Sequence, residues 1–207
     1  MNIEIESITH DHPIEEMFDV LKSAFEEHRQ QGIYFSCMSF NLDDFKKEEA
    51  STSTVIVARD TSKNKIVGFQ NVWVSRGGRA VGGLIAVHSC YKRSGVGSML
   101  FKKTQEYAID KDASYILSNT AVGAKSSINW HLKNGFKIVG LKSWSDTNYY
   151  TYVFRKQLVY HPLWSNSLYC QVHYWLSALK CRLCFRENGE QRALMKVYLS
   201  IRAKMVN

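Results

Sequence analysis

Apolar and polar positions change period several times along the chain, and those changes outline its elements. Ile3, Ile5 and Ile8 alternate with polar residues, which predicts an edge strand. Pro13 then suits the first turn of a helix, with Glu15 and Glu16 near its positive end and Met17, Phe18, Leu21, Ala24 and Phe25 on one face, and Gly32 closes it. The aromatic-rich stretch 33–41 follows, and Asn41 with Asp43 can cap a short helix from Phe45 to Glu49. Residues 54–59 and 66–75 are β-rich runs on either side of a polar turn, a hairpin signal, and Gly77-Gly78 turns the chain into a third antiparallel strand. That strand ends in the unbroken apolar run Leu84, Ile85, Ala86 and Val87, the pattern of a strand covered on both faces.

Beyond it the period changes again. Lys92-Arg93-Ser94-Gly95-Val96-Gly97 leads into a helix with Met99, Leu100, Thr104, Tyr107 and Ala108 at helical spacing. Residues 115–118 form a short apolar strand, expected beside 84–87, and 136–141 with 149–158 form a last hairpin whose Tyr150, Tyr152 and Phe154 share one face. Past Pro162, residues 166–185 and 191–205 each repeat at helical spacing around a stop at Asn188-Gly189, which predicts a helical hairpin.

Composition narrows the classes. With 207 residues, the chain suffices for one domain with a full core plus an appendage, and its 45% apolar and 22% charged content is ordinary for a globular protein. No apolar run reaches the length of a membrane span, and the first residues lack a basic-then-apolar leader pattern, so the expected location is cytoplasmic. Five cysteines without such a leader fit reduced thiols. The net charge of +8 is uneven: residues 158–207 hold seven Lys and Arg against Glu187 and Glu190.

The glycine turn carries the clearest chemistry. A helix that starts at glycines points unpaired N–H groups outward with no side chain to keep a ligand away, and such an end binds phosphate. Lys92 and Arg93 add positive charge at the same rim. The stretch Val87-His88-Ser89-Cys90-Tyr91-Lys92-Arg93-Ser94-Gly95-Val96-Gly97-Ser98 resembles the acyl-CoA pyrophosphate loop of the GCN5-related N-acetyltransferases, with Lys92 where that family usually has Gln or Arg. A second motif lies at the expected distance, because Ser127 to Phe136 resembles the family's short helix leading into a Gly-Phe strand start. The resemblance covers about three quarters of the chain and implies an α/β fold with a mixed, mostly antiparallel central sheet splayed at the cofactor site, here followed by a C-terminal helical extension. The expected division is an acetyltransferase domain over 1–158 and a basic amphipathic extension over 159–207.

The resemblance also implies roles. Acetyl-CoA would be the cosubstrate, its pantetheine arm bonded to the backbone of Ile85, Ala86 and Val87 and its phosphates held at Lys92, Arg93, Ser94, Gly95, Val96, Gly97 and Ser98. The strand N–H after Val87 is the expected donor to the thioester carbonyl. His131 stands where the family usually has the Tyr that protonates the leaving thiolate, and an imidazolium can serve there. For a base, the carboxylate positions of the family hold Asn119 or no carboxylate, which leaves His88 or, through water, Asp146. Trp144 and Asp146 in the last turn offer an aromatic wall and a carboxylate to a cationic amine, with Tyr34 on the opposite helical wall.

These features point to transfer of an acetyl group to a small primary amine in a direct ternary complex, with an amino sugar as first candidate because aromatic walls suit a sugar ring. The competing expectation is a non-catalytic acyl-CoA sensor or adaptor acting through its basic tail. The tail has no nucleic-acid reading motif, so no nucleic-acid partner is expected, while packing on its own domain, a homodimer and peripheral contact with an anionic membrane are all compatible with it. Cys170, His173, Cys181 and Cys184 have ligand-like spacings, but one straight helix holds the two pairs about 16 Å apart, too far for a shared metal.

Overall fold

The computed structural model describes residues 2–50, 54–145, 147–190 and 192. Strands and helices follow the order β1 (Ile3–Ile8), α1 (Ile14–Gln30), α2 (Leu42–Ala50), β2 (Thr54–Asp60), β3 (Lys65–Val74), β4 (Arg79–Val87), α3 (Val96–Asp110), β5 (Tyr115–Ala121), α4 (Lys125–Lys133), β6 (Lys137–Ser143), β7 (Tyr150–Gln157) and α5 (Ser167–Cys184). The strand order is β1-β2-β3-β4-β5-β7-β6. β1 to β4 pair antiparallel in succession, β4 and β5 are parallel, and β6 and β7 are antiparallel.

The chain forms two compact units, one of residues 1–118 with 157–159 and one of 119–156 with 160–207.

In the first unit, both faces of the sheet are covered. Along β2, Val55 and Val57 join a cluster with Met17, Val20, Leu21, Phe45 and Phe69, while Ile56 and Ala58 join one with Val67, Val96 and Leu100. Alternation sends successive side chains to opposite faces, so α1 and α2 cap one face and α3 the other, and the strand reads as a continuous apolar run. Burying each of Val20 and Leu21 contributes about 1.5–3 kcal/mol. α2 begins at a reciprocal cap: Asp44 N–H donates to Asn41 Oδ1 at 2.9 Å, and Asn41 N–H donates to Asp44 Oδ2 at 3.2 Å. α3 lies so close to β3 that a Cβ at Gly68 would sit 3.1 Å from both Val96 and Leu100 side chains.

The second unit is held by aromatic packing and by α5. Phe154 is fully buried among Phe136, Tyr152 and His131. α5 starts at Asn166, whose Oδ1 accepts from the N–H groups of Leu168 and Tyr169. Its inner face is pinned to β6 by polar contacts: His173 Nδ1 lies 2.6 Å from Val139 O, Leu141 N–H donates to Ser177 Oγ at 3.1 Å, and Ser177 Oγ donates to Leu141 O at 3.3 Å. The first helix of the expected C-terminal hairpin is thus present. The second, expected over 191–205, lies outside the described residues apart from Arg192.

Candidate active site

The candidate site in the first unit starts from an interruption in β4. The β4–β5 ladder pairs only Arg79–Val81 with Tyr115–Leu117, after which Gly82–Val87 keep β3 as their described ladder partner. Opposite this point the β3–β4 register slips, Gln70 facing Ile85 while Val72 faces Gly82. The extra residue lies on β4, a bulge at Gly83 and Leu84 across from Asn71, and a bulge bends its strand. A Cβ on Gly83 would come within 3.2 Å of Asn71 Cβ and 2.7 Å of the Trp73 ring, so the bulge fits only a glycine without rearrangement.

The end of β4 corrects one expectation. His88 N–H donates to Val67 O at 2.9 Å, so the N–H following Val87 is committed to the sheet and is not the donor to a thioester carbonyl. Bonded and non-bonded residues alternate in an antiparallel ladder. Because His88 bonds to β3, Ala86 is the next residue to do so, and Val87 and Ile85 turn their N–H and C=O groups to the other edge. Of the three residues expected to hold the pantetheine arm, Ile85 and Val87 have backbone groups facing away from β3, whereas Ala86 bonds toward β3 and its side chain is in the core.

The loop beyond is braced from beneath. His88 Nδ1 accepts from Cys90 N–H at 3.3 Å and caps the short 3-10 turn Ser89–Tyr91. Tyr91 OH donates to Asp60 Oδ2 at 2.8 Å, and Ser94 Oγ donates to Tyr91 O at 2.6 Å. The Asp60 carboxyl is held below its ordinary range, first by the Ser62 hydroxyl and then by Tyr91. Gly95, at φ +89°, precedes α3 and has open space where a Cβ would be. Ser98 and Met99 N–H both return to Gly95 O, so the N–H groups of Val96 and Gly97 point out of the first turn toward that space.

Lys92 is already engaged. Its Nζ lies 3.0 Å from Glu27 Oε2 on α1, and this bond is the main reason the Glu27 carboxyl is held below its ordinary range. Ser89 N–H donates to Ser23 Oγ at 3.0 Å, so α1 forms the second wall of an open cleft of about 640 Å³ at Lys22, Glu27, Lys92 and Arg93.

Sequence reasoning missed one group on the opposite side of the bulge. Glu49, at the end of α2, is 1% exposed, and its Oε1 accepts from Asn71 Nδ2 at 2.6 Å. Glu49 Oε2 and Asn71 Oδ1 are both buried without a hydrogen-bond partner. Burial raises the carboxyl to about 7. The adjacent polar pair Gln70-Asn71 amid the apolar pattern of β3 was the available signal.

The remaining expected site residues are dispersed. Tyr34 is exposed beside Phe35, whose ring packs against Phe25 and His28. In the second unit, His131 is 2% exposed and stacked on Phe154 at 4.3 Å between ring centroids, with Trp130 and Phe136 edge-on. Its Nδ1 lies 2.7 Å from Ser127 O, and burial lowers its pKa to about 4. At neutral pH the ring is uncharged, so the imidazolium expected as proton donor is not the form this environment holds. Trp144 is partly exposed with Lys142 Nζ 5.1 Å above its ring, and the turn it belongs to is packed under Gly189, where a Cβ would meet Ser145 N at 2.5 Å. Asp146 lies outside the described residues. Among the described residues, no three His, Cys, Asp or Glu side chains are grouped to hold a metal ion.

The central strand parts from its parallel neighbour, is bulged, and runs into a glycine-led helix start, all within the segment that a family model matches by sequence. The family model described as "Acetyltransferase (GNAT) family" matches residues 14–136, and the chain belongs to that family. It is accordingly an acyltransferase that uses acetyl-CoA. Solved structures share the fold at low identity. Ard1 from Thermoplasma volcanium is 17% identical with a TM-score of 0.62, over 77% of this chain and 99% of its own. The ribosomal-protein-S18-alanine N-acetyltransferase from Escherichia coli is 13% identical with a TM-score of 0.62, over 77% and 96%. PaiA N-acetyltransferase from Thermoplasma acidophilum, in complex with coenzyme A, is 15% identical with a TM-score of 0.61, over 76% and 99%. No curated protein matches the chain by sequence.

Proposed function

We propose that the protein transfers the acetyl group of acetyl-CoA to a small primary amine, an amino sugar being the first candidate, by direct attack within a ternary complex. The observation that carries this is the free edge of β4, where Ile85 and Val87 offer backbone groups to an extended amide-bearing arm just ahead of the outward N–H groups of Val96 and Gly97. Lys92, Arg93, Ser94 and Ser98 complete the phosphate rim. Val87 N–H serves as donor to the thioester carbonyl, and it strengthens its bond as the oxygen gains charge.

The amine nitrogen attacks the carbonyl carbon, the carbon–sulfur bond breaks, and coenzyme A leaves as a thiolate. The nitrogen's surplus proton needs an acceptor. Glu49 is the better choice over His88, because its carboxyl near 7 is poised for proton uptake at neutral pH and its free Oε2 lies with Asn71 Oδ1 beside the bulge. His88 acts as the cap of the loop, and His131 as part of the aromatic core of its unit.

The exposed rings of Tyr34 and Trp73 support a sugar or similarly flat acceptor. In the proposed division, residues 1–158 carry the transferase and 159–207 the extension; the stretch matched by the family model, 14–136, falls wholly within the first. Use of acetyl-CoA supports a cytoplasmic location. An anionic membrane is the external partner proposed for the extension, and a homodimer is the alternative that its oligomeric state tests.

A panel of primary amines assayed by thiol release from acetyl-CoA tests the reading. Amine-dependent release is expected; tight acetyl-CoA binding with no release on any amine would establish the sensor instead.

A further inference from the structure

Helix α5 contradicts the usual economy of a surface helix, in which the outward face is polar. Its inner face is committed, with Cys170, Ala178 and Cys181 buried. Its outer face consists of Leu168, Val172, Trp175, Leu176, Leu179 and Leu183, all exposed, with Leu168 and Trp175 at 68% and Leu176 at 64%. At about 100° per residue these six fall within a stripe about 100° wide that runs the length of the helix. Lys180 and Arg182 lie on opposite flanks of that stripe. Just ahead of α5, Tyr160 and Leu163 are exposed as well.

The charges select the occupant. α5 has no Asp or Glu among its 18 residues. A second copy paired through this stripe would therefore bring Lys180 and Arg182 against rims that offer them no carboxylate. The chain's own last residues fare no better as a cover, since 191–207 contain Arg192, Lys196, Arg202 and Lys204 and no acid. Of the two acids nearby, Glu190 is already 3.6 Å from Arg186. The stripe also does not make a span, because no helix among the described residues is long and apolar enough to cross a membrane.

We propose that the outer face of α5 is a docking surface for an anionic phospholipid bilayer, in which the helix lies in the plane of the interface. Its leucines and Trp175 enter the boundary between headgroups and acyl chains, and Lys180 and Arg182 on its flanks meet lipid phosphates. Hydrophobic insertion and electrostatic attraction supply two signals, which is what stable peripheral binding needs. The catalytic unit is then held at a membrane surface, where an acceptor carried on a lipid would be met at high local concentration.

The test is flotation of the full chain with vesicles of phosphatidylcholine alone or mixed with phosphatidylglycerol. The protein is expected to float with the anionic vesicles, to bind the neutral ones about tenfold less, and to lose binding as salt rises. The double variant Trp175→Glu, Leu179→Glu places charge on exposed positions only, so its circular dichroism and acetyl-CoA affinity should match the parent while flotation falls at least about tenfold. Full-length protein that stays in the soluble fraction with anionic vesicles at low salt overturns the proposal. So does unchanged flotation of the double variant, or sedimentation showing a dimer that the double variant dissociates. Acetyl-CoA binding read in parallel keeps this result separate from the acetyltransfer reading.

Discussion

Glu49 shows how one side chain can be informative through its burial. Nothing in its local sequence separates it from Glu48, and only the fold reveals that it faces Asn71 across the layer between α2 and β3. The sign of its titration is testable. Its folded-state pKa, about 7, lies above the ordinary value of 4.5, so the folded state holds a proton longer than the unfolded one. Its contribution to stability is present below the unfolded pKa and is lost as pH rises through the folded value. Glu49→Gln should therefore raise Tm relative to the parent at pH 8 and leave it nearly unchanged at pH 4. If Glu49 is the base, the same variant should lower kcat by about 10²–10⁴ and remove the acidic limb near pH 7 from the rate profile. A profile with the limb intact assigns the proton to another group.

A second residue-scale prediction concerns Lys92. An exposed ion pair contributes about 0–1 kcal/mol, so Glu27 is a weak competitor for the charge that phosphate needs. Glu27→Gln should tighten acetyl-CoA binding by up to about fivefold in calorimetry, whereas weakened binding would mean that Glu27 positions Lys92 rather than competes for it.

Elements differ in how far the chain announced them. The run Leu84 to Val87 and the Lys92–Gly97 turn were readable because each carries a local constraint: apolarity on both faces, and an unhindered helix start at Gly95. Asn41 was readable as a cap for the same reason. The β4 bulge was not, because a register slip is a relation between two strands, and Gly82-Gly83 alone does not say which one bears the extra residue. His131 read as a candidate acid because a ring at the end of α4 looks solvated, whereas in the fold Phe136 and Phe154 close over it. His131→Phe should accordingly keep kcat within about threefold of the parent, and a loss of 10²-fold or more at unchanged acetyl-CoA affinity would restore its catalytic role. Leu21→Ala, in the contact between α1 and the sheet, should cost about 2–5 kcal/mol in chemical unfolding.

For the molecule as a whole, the proposed function requires that the free β4 edge and the glycine-led start of α3 together hold acetyl-CoA for attack by an amine. Gly97→Glu places bulk and negative charge where the phosphates approach, outside the buried core clusters that hold the fold. The most direct measurement is isothermal calorimetry of acetyl-CoA against the parent and against this variant, with circular dichroism confirming that both are folded. The account predicts a one-to-one complex for the parent and no detectable heat for Gly97→Glu. Equal affinity in a folded variant would contradict it.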